Sequence, residues 1–353
     1  MHLLFITRKW PPAVGGMETW SVEVAAALQD RGHSVEIRAL PGRDGGGTPG
    51  ARAIIRFGLR QAFSLLLGRW RAGRPEAVLG GDLALWPLAW IAGRRAGCPV
   101  VLAAHGTDVA FASRRSLTGI LYRQWLRLGA RLLGQGAVLA NSSATAARAG
   151  ALGFARVDDA PLGVRVAPPF DAPPPPEPFL LFAGRLIRRK GLSWFVRDVL
   201  PGLPETVHLK VAGPPWDESE SAALAHPRVE ALGARPPAEL HALMARATAV
   251  IVPNLPSTPD VFEGFGLVAP EAAAAGAIVL AADLDGLADA VIDGQTGTLL
   301  PPGDANAWRE KIAEIAAWPP EQRAAEAARA QRIAQAHFRW ATVADKVIDL
   351  ATT

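Results

Sequence analysis

The sequence contains very little cysteine and lacks any long apolar run. Cys98 is the single cysteine among 353 residues, which excludes an internal disulfide framework and is typical of a reducing compartment. The closest approach to a membrane span, residues 78–93, is interrupted by Asp82 and Pro87. The apolar run of residues 2–6 is too short for a secretion signal. We therefore predict a cytoplasmic protein without a spanning helix.

Several catalytic and cofactor signatures are also missing from the sequence. It has no Cys/His cluster with metal-ligand spacing and no G-x-S-x-G nucleophile motif. The first predicted strand-to-helix turn, at Gly15 and Gly16, is not a G-x-G-x-x-G fingerprint and lacks the lysine of a P-loop. Asp283 and Asp285 have D-x-D spacing, but they follow a predicted strand and are interpreted as a turn. The formal charge of +4 is modest and aromatics do not interleave with one basic stripe, which argues against a nucleic-acid partner. We predict neither a metal nor a cofactor.

The sequence has enough hydrophobic residues to form the cores of two domains. Half of the residues are hydrophobic and a fifth are charged, and a chain of this length exceeds the ~250–300 residues at which one core stops growing. The composition changes at a proline-rich stretch, which makes a semi-rigid spacer. The predicted parts are an N-terminal domain (1–167), a linker (168–178), a C-terminal domain (179–335) and a last helix (336–353).

Strand and helix patterns alternate along both halves. Residues 2–6 form a continuous apolar run, followed by a helical pattern to about Arg31 and a second strand at 33–38, which makes one βαβ unit. Further strands are expected at 77–79, 99–104, 137–140, 179–183, 207–212, 249–253 and 278–281, and helices at 51–73, from 191, from 237, at 263–276, 306–317 and 338–350. This rhythm predicts an α/β protein with two doubly wound parallel sheets and a ligand cleft.

Two stretches combine arginine with apolar and aromatic residues. The first is the predicted helix 51–73, and the second is the segment 114–131, which contains Tyr122 and Trp125. Each stretch suits contact with an anionic membrane surface. Each also suits a core-facing helix with a solvated basic face, and both alternatives stay open at this stage.

The strongest candidate site is the nonapeptide from Glu263 to Glu271. Gly264 and Gly266 allow the backbone a tight turn and a close approach to a ligand, and the following helix would point its unpaired N–H groups at phosphate oxygens. Glu263 is suited to accept from sugar hydroxyls and Glu271 from a ribose pair. The alternative interpretation is an acidic loop that enters an Ala-rich core helix.

A second candidate site follows the first strand of the second half. Residues 184–191 concentrate four cations at the carboxyl end of a strand, where such folds bind ligands. Arginine offers a planar fork and lysine a compact charge, so Arg185 and Lys190 are suited to neutralise a diphosphate. Two further features lie at strand ends in the first half: the pair Gly15 and Gly16, and His105, which is followed by glycine.

Together these motifs resemble the retaining GT-B glycosyltransferases of family 4, and the resemblance covers nearly the whole chain. It implies two Rossmann-like domains facing across a cleft, with the acceptor side in the N-terminal domain (1–167) and nucleotide-sugar binding in the C-terminal domain (179–335). It also implies that the C-terminal helix (336–353) crosses back to the first domain. It also implies catalytic roles for His105, Glu263, Arg185 and Lys190. The donor-binding residues that it implies are Gly15, Gly16, Arg185, Lys190, Glu263, Phe265, Gly266, Leu267 and Glu271.

The resemblance also implies a reaction. A hexose-type sugar would move, with retention and without metal, from a UDP- or GDP-linked donor to a glycan or lipid-linked acceptor in cell-envelope polysaccharide or glycolipid synthesis. The chain departs from the family at 162–165 and at 285–289. Two alternatives remain open, namely a nucleotide-sugar 2-epimerase and a non-catalytic nucleotide-sugar-binding subunit.

Overall fold

The computed structural model describes residues 1–13, 15–43, 49–165, 178–256, 258 and 261–353. Its strands are β1 His2–Trp10, β2 Ser34–Pro41, β3 Ala77–Gly80, β4 Val100–Ala104, β5 Ala137–Ala140, β6 Arg156–Asp159, β7 Phe179–Ala183, β8 His208–Ala212, β9 Val229–Gly233, β10 Ala249–Val252, β11 Val279–Ala282 and β12 Thr298–Leu300. Its α-helices are α1 Gly16–Asp30, α2 Ala51–Leu66, α3 Trp86–Ala96, α4 Gly106–Ala112, α5 Leu117–Leu133, α6 Ser143–Ala151, α7 Leu192–Trp194, α8 Glu218–Ser221, α9 Pro237–Arg246, α10 Val268–Ala274, α11 Ala305–Ala316, α12 Pro320–His337 and α13 Trp340–Thr352.

The strands of the described residues form two parallel six-stranded sheets, in the orders β2-β1-β3-β4-β5-β6 and β12-β11-β10-β7-β8-β9. Every pairing in them is parallel. The predicted α/β class with two doubly wound sheets is confirmed. The strand order reverses between β1 and β3 in the first sheet and between β7 and β10 in the second, and ligands of such sheets bind at these reversals.

Two compact units contain these sheets. The first comprises residues 1–163, 259–264 and 339–353, and the second comprises 164–258 and 265–338. The bounds of these units differ from the predicted domain ranges in two places. Residues 259–264 of the second half belong to the first unit, and the C-terminal segment that belongs to the first unit begins at Arg339. The predicted linker 168–178 lies outside the described residues, except for Pro178.

In the first unit, helices cover both faces of the sheet. On one face α13 packs against α1 and against β3, β4 and β5, and Trp20 of α1 meets Phe5 edge-on at 6.0 Å between ring centroids. On the other face α3 packs between α2 and α5. Leu65 of α2, Trp86 of α3 and Leu126 of α5 share one buried cluster with strand residues of β1, β3, β4 and β5.

Several predicted elements were wrong in their extent. The helix predicted at 51–73 ends at Leu66, because Gly68 and Gly73 are poor helix formers. The helix predicted within 263–276 comprises only Val268–Ala274, and Glu263 lies in the preceding loop, as predicted. Helix α3 was not predicted, and its Pro87 lies in the first turn, a position that suits proline.

No helix within the described ranges has the length and hydrophobicity that crossing a membrane requires.

Candidate active site

Gly15 and Gly16 lie where β1 leads into α1, at the order reversal of the first sheet. Gly16 is the first residue of α1, and Gly15 is its N-cap. The Gly15 carbonyl accepts the Thr19 N–H at 2.9 Å and so begins the helix. The first N–H groups of α1 therefore have no intrahelical acceptor, which makes this helix start a suitable anion-binding position.

His105 lies between β4 and α4, with its side chain buried. Its Nε2 is 3.0 Å from the Gly81 carbonyl oxygen, and Trp20 lies edge-on to the ring at 5.3 Å. Burial lowers the pKa of His105 to about 4, so the imidazole is neutral at pH 7. A carbonyl oxygen can only accept, so Nε2 carries the proton and Nδ1 is left with the lone pair.

A charge cluster lies beside His105, made of half-buried Arg8 and the buried carboxylates of Asp82 and Asp108. Arg8 Nε is 2.6 Å from Asp82 Oδ2. Asp108 Oδ2 accepts the backbone N–H groups of His105 at 3.3 Å and Leu83 at 3.4 Å. Burial first, and then the charge of Asp82, raise the pKa of Asp108. Asp108 thus holds the backbone of His105 in place.

Gly264 brings the segment of Glu263 to the start of α4. An ideal Cβ on Gly106 would lie 2.5 Å from the Gly264 Cα, closer than real Cβ contacts. Thr145 Oγ1 also donates to the Gly264 carbonyl at 3.4 Å. Glu263 is therefore anchored, through its neighbour, in the same unit and at the same strand edge as His105.

In the second unit, the turn after β7 carries Arg185 and Lys190. Leu186 N–H donates to the Pro214 carbonyl at 3.1 Å, which ties this turn to the segment after β8. The exposed Arg185 guanidinium lies over the Trp216 ring, with its Cζ 5.3 Å from the ring centroid. The aromatic face attracts the positive charge of the guanidinium. Arg185 is thus held by its ring contact while remaining accessible.

Lys190 ends a short 3-10 turn that contacts the segment after β10. The next residue, Gly191, has a φ of 75°, and a Cβ on it would lie 2.0 Å from the Pro253 carbonyl oxygen. Leu255 N–H donates to the Arg189 carbonyl at 2.9 Å. The cationic turn and the segment that leads towards Glu271 therefore meet where the strand order reverses between β7 and β10.

Phe265, Gly266 and Leu267 lead into α10, which carries Glu271 in its first turn. Phe265 is buried and meets Phe338 edge-on at 6.2 Å, so it anchors this backbone rather than exposing its ring. Burial raises the pKa of Glu271 to about 7, against the opposing effect of Arg165. Glu271 is therefore poised to gain or lose a proton near neutral pH.

Known proteins match both halves of the chain. Residues 14–168 match the family described as Glycosyltransferase Family 4, and residues 177–317 match Glycosyl transferases group 1. Glycogen synthase of Mycobacterium tuberculosis is 30% identical over 404 residues, covering 98% of this chain and 92% of that protein. This chain belongs to glycosyltransferase family 4.

A second relative is similar over most of its length, and two solved structures share the fold. The phosphatidyl-myo-inositol mannosyltransferase of Mycobacterium leprae is 27% identical, with 85% of this glycosyltransferase and 83% of that protein covered. Anabaena HepE in complex with UDP and glucose superposes with a TM-score of 0.69 at 19% identity, covering 99% and 98% of the two chains. Sucrose-phosphate synthase from Thermosynechococcus elongatus superposes with a TM-score of 0.72 at 20% sequence identity, again covering 99% and 98% of the two chains. The predicted GT-B fold is confirmed.

The candidate residues of this glycosyltransferase are divided between its two units. Gly15, Gly16, His105 and Glu263 belong to the first unit, and Arg185, Lys190, Phe265, Gly266, Leu267 and Glu271 belong to the second. Their roles at the donor stay predictions. Sequence reasoning missed the roles of Arg8, Asp82 and Asp108, for which no motif gives a signal. Among the described residues, no group of three or more His, Cys, Asp or Glu side chains is placed to hold a metal ion.

Proposed function

We propose that this glycosyltransferase moves a hexose-type sugar from a UDP- or GDP-linked donor to a glycan or lipid-linked acceptor, with retained configuration and without a metal ion. We place the reaction on the cytoplasmic side, at the periphery of an anionic membrane, in cell-envelope polysaccharide or glycolipid assembly. The observation that carries the proposal is the Arg185–Lys190 turn, which meets the segment after β10 at the order reversal of the second sheet.

The hard step is cleavage of the bond between the anomeric carbon and the diphosphate oxygen. That cleavage leaves a sugar with oxocarbenium character and a diphosphate that gains negative charge. Stabilising this charge is usually the largest catalytic contribution. Arg185 supplies a planar fork for two phosphate oxygens and Lys190 a compact charge, so together they do what a divalent cation does in other transferases.

The acceptor hydroxyl attacks from the face that the leaving group vacates. The new bond forms between the acceptor oxygen and the anomeric carbon, while the acceptor proton passes to the departing phosphate oxygen. In this proposal Glu263 accepts from sugar hydroxyls, and neutral His105 lies beside the sugar. Glu271 accepts from the ribose hydroxyls, and the N–H groups near Gly16 and Leu267 contact phosphate and sugar.

The relatives support this reaction class. One is named a glycogen synthase and another a phosphatidyl-myo-inositol mannosyltransferase, and a protein of the same fold was solved with UDP and glucose. The first name describes synthesis of a polysaccharide, and the second describes transfer of a mannosyl group. They favour a transferase over an epimerase for this chain.

Thermal unfolding in the presence of UDP-glucose, GDP-mannose and related donors tests the proposal. A donor at 100-fold its Kd is expected to add about 2.7 kcal/mol to the free energy of unfolding. The stabilising donor is then incubated with EDTA, with and without acceptor extracts. Slow release of free sugar without acceptor supports a transferase, whereas conversion to an epimeric donor or loss of turnover in EDTA contradicts the proposal.

A further inference from the structure

Two helices of the first unit expose apolar stripes that the fold does not cover. In α2, Ile55, Leu59 and Phe63 are 61%, 69% and 63% exposed, and their spacing of four residues places them on one side of the helix. The opposite side carries Gln61 and Leu65, which are buried. The sequence left a core-facing helix open as the alternative, and the structure excludes it for this stripe.

The α5 helix, on the same face of the sheet as α2, also has one buried side and one exposed apolar side. Its buried side includes Leu126 and Ala130, which pack on the sheet. We define the docking face as the exposed apolar side chains of both helices. They are Ile55, Leu59, Phe63 and Leu66 of α2, and Leu117, Ile120, Leu121, Trp125, Leu128 and Leu132 of α5. Exposed apolar sets of this size mark interaction sites.

Arginines border the docking face, and acidic side chains are scarce around it. Residues 51–75 contain six arginines and no acidic residue, and residues 83–134 contain seven arginines and a single acidic residue, the buried Asp108. Arg56 and Arg60 are exposed and follow Ile55 and Leu59 in the helix. Two copies of this face would bring arginines against arginines, so an anionic surface is the complementary partner.

A cavity of about 720 Å³ opens between β2 and α2, directly beside the α2 stripe. Four arginines line it, namely Arg38, Arg56, Arg60 and Arg71. Arg38 is buried and engaged, because its Nε is 2.7 Å from Glu36 Oε1 and its Nη2 donates to the Arg69 carbonyl. The other three arginines are exposed, which suits a phosphate held next to an apolar surface.

We propose that α2 and α5 lie in the interface of an anionic bilayer, and that the β2–α2 cavity takes the phosphate of a lipid head group. Apolar side chains enter the acyl boundary while arginines reach the head groups, as in other interfacial helices. All strands of this sheet are parallel, so α2 and α5 both begin at the strand edge where His105 lies. This placement favours a lipid-linked acceptor, a step that rests on the proposed function.

The test is co-sedimentation of the full chain with vesicles of phosphatidylcholine alone or with about 30% phosphatidylglycerol. Wild type is expected to bind the anionic vesicles at least about tenfold more tightly, and high salt should weaken this binding. Leu59→Asp with Phe63→Asp, and separately Leu121→Asp with Leu128→Asp, should each lower it at least about tenfold, because charge opposes insertion.

Charge reversal has a matched control in this chain. Arg56→Glu with Arg60→Glu changes the net charge by four units, and so does Arg246→Glu with Arg332→Glu, which alters exposed arginines of the second unit. The first pair should lose anionic-vesicle binding by at least about tenfold, while the control pair keeps it. Equal losses in both pairs would overturn the proposal, as would equal wild-type binding to both vesicle types.

Two further readouts separate the other occupants of this face. If light scattering finds a dimer that Leu59→Asp with Phe63→Asp dissociates, a second copy covers the face and the bilayer assignment is wrong. If inorganic phosphate alone stabilises wild type but not Arg56→Glu with Arg60→Glu, the cavity binds a soluble anion and the head-group assignment is wrong. Donor hydrolysis without vesicles should be unchanged in all these variants, so failure here leaves the transferase proposal standing.

Discussion

Gly106 and Gly264 lie backbone against backbone in the first unit, with no room for a side chain on either residue. A Cβ on Gly106 would come within 2.5 Å of the Gly264 Cα, and one on Gly264 would lie 2.9 Å from the Gly106 Cα and N. This contact holds together two predicted site residues that are far apart in the chain, because His105 precedes one glycine and Glu263 precedes the other. The position of His105 relative to Glu263 therefore depends on glycine, which has no Cβ, at both 106 and 264.

Gly106→Ala is expected to separate the two segments and to lower kcat by roughly 10²-fold, since small misplacements of reacting groups have effects of this size. The matched control is Gly150→Ala in α6, where a Cβ meets nothing within 4 Å. That change should leave kcat unaltered and should stabilise the helix by about 0.5–1 kcal/mol. Steady-state kinetics and thermal unfolding of both variants provide the comparison, and equal kcat values would refute the role of the contact.

Arg185→Ala and Lys190→Ala are each expected to lower kcat by roughly 10²–10³-fold, by analogy with loss of an oxyanion donor. The reason is that each removes a positive charge from the predicted leaving diphosphate. Arg188→Ala, in the same turn and also exposed, removes an equal charge without a predicted phosphate contact. It should change kcat less than about threefold. If all three variants behave alike, only the net charge of the turn matters and the assignment of individual roles is wrong.

Glu271 gives donor binding a predicted pH dependence. Burial raises its pKa to about 7, and only the ionised carboxylate is a full acceptor for two ribose hydroxyls. The ionised fraction rises about tenfold between about pH 6 and pH 8, so the Kd of a nucleoside diphosphate sugar should fall by about the same factor. The diphosphate of such a donor stays ionised throughout this range. Calorimetric titrations at several pH values measure the effect.

The matched variant is Glu271→Gln, which keeps the shape of the side chain and cannot ionise. Its donor affinity should be weaker than that of wild type at pH 8 and should not vary with pH. If the donor affinity of Glu271→Gln still changes with pH, the group that titrates is another residue.

Strand content was easier to predict than the position of particular side chains. Buried parallel strands such as β4 and β7 are continuous apolar runs, which the sequence displays directly. The edge strand β6, Arg156–Asp159, has no such run, and it was missed. The apolar pattern of α2 predicted an amphipathic helix, but periodicity cannot reveal which side the sheet covers.

The sequence motifs predicted the candidate site residues, but they did not predict the neighbouring residues that hold them in place. Glycine and charge spacing pointed to Arg185 and Lys190, which lie in the turn after β7, and to Glu271, which lies in the first turn of α10. The ion pair of Arg8 with Asp82 joins residues 74 positions apart, and neither lies in a recognisable motif. Such pairs form only when strand ends meet in the fold, so local sequence gives no sign of them.

Asp108 gives the stability of the first unit a predicted pH dependence. Burial and the neighbouring Asp82 raise its pKa to about 7, while Arg8 and two backbone N–H groups oppose the rise. A carboxyl group whose folded-state pKa lies above the unfolded value stabilises the protein at low pH, and this contribution is lost as pH rises through the folded pKa. The loss should therefore fall between about pH 4 and pH 7.

Asp108→Asn removes this titration but keeps an oxygen that accepts the N–H groups of His105 and Leu83. Relative to wild type, its free energy of unfolding should rise by at least about 1 kcal/mol between about pH 5 and pH 8, since one pKa unit corresponds to about 1.4 kcal/mol. Asp108→Ala also removes the titration but leaves both N–H groups without their acceptor, so it should be about 1–3 kcal/mol less stable than Asp108→Asn at either pH. Urea unfolding at the two pH values measures both effects. A parallel pH dependence in wild type and Asp108→Asn would show that Asp108 stays ionised in the fold.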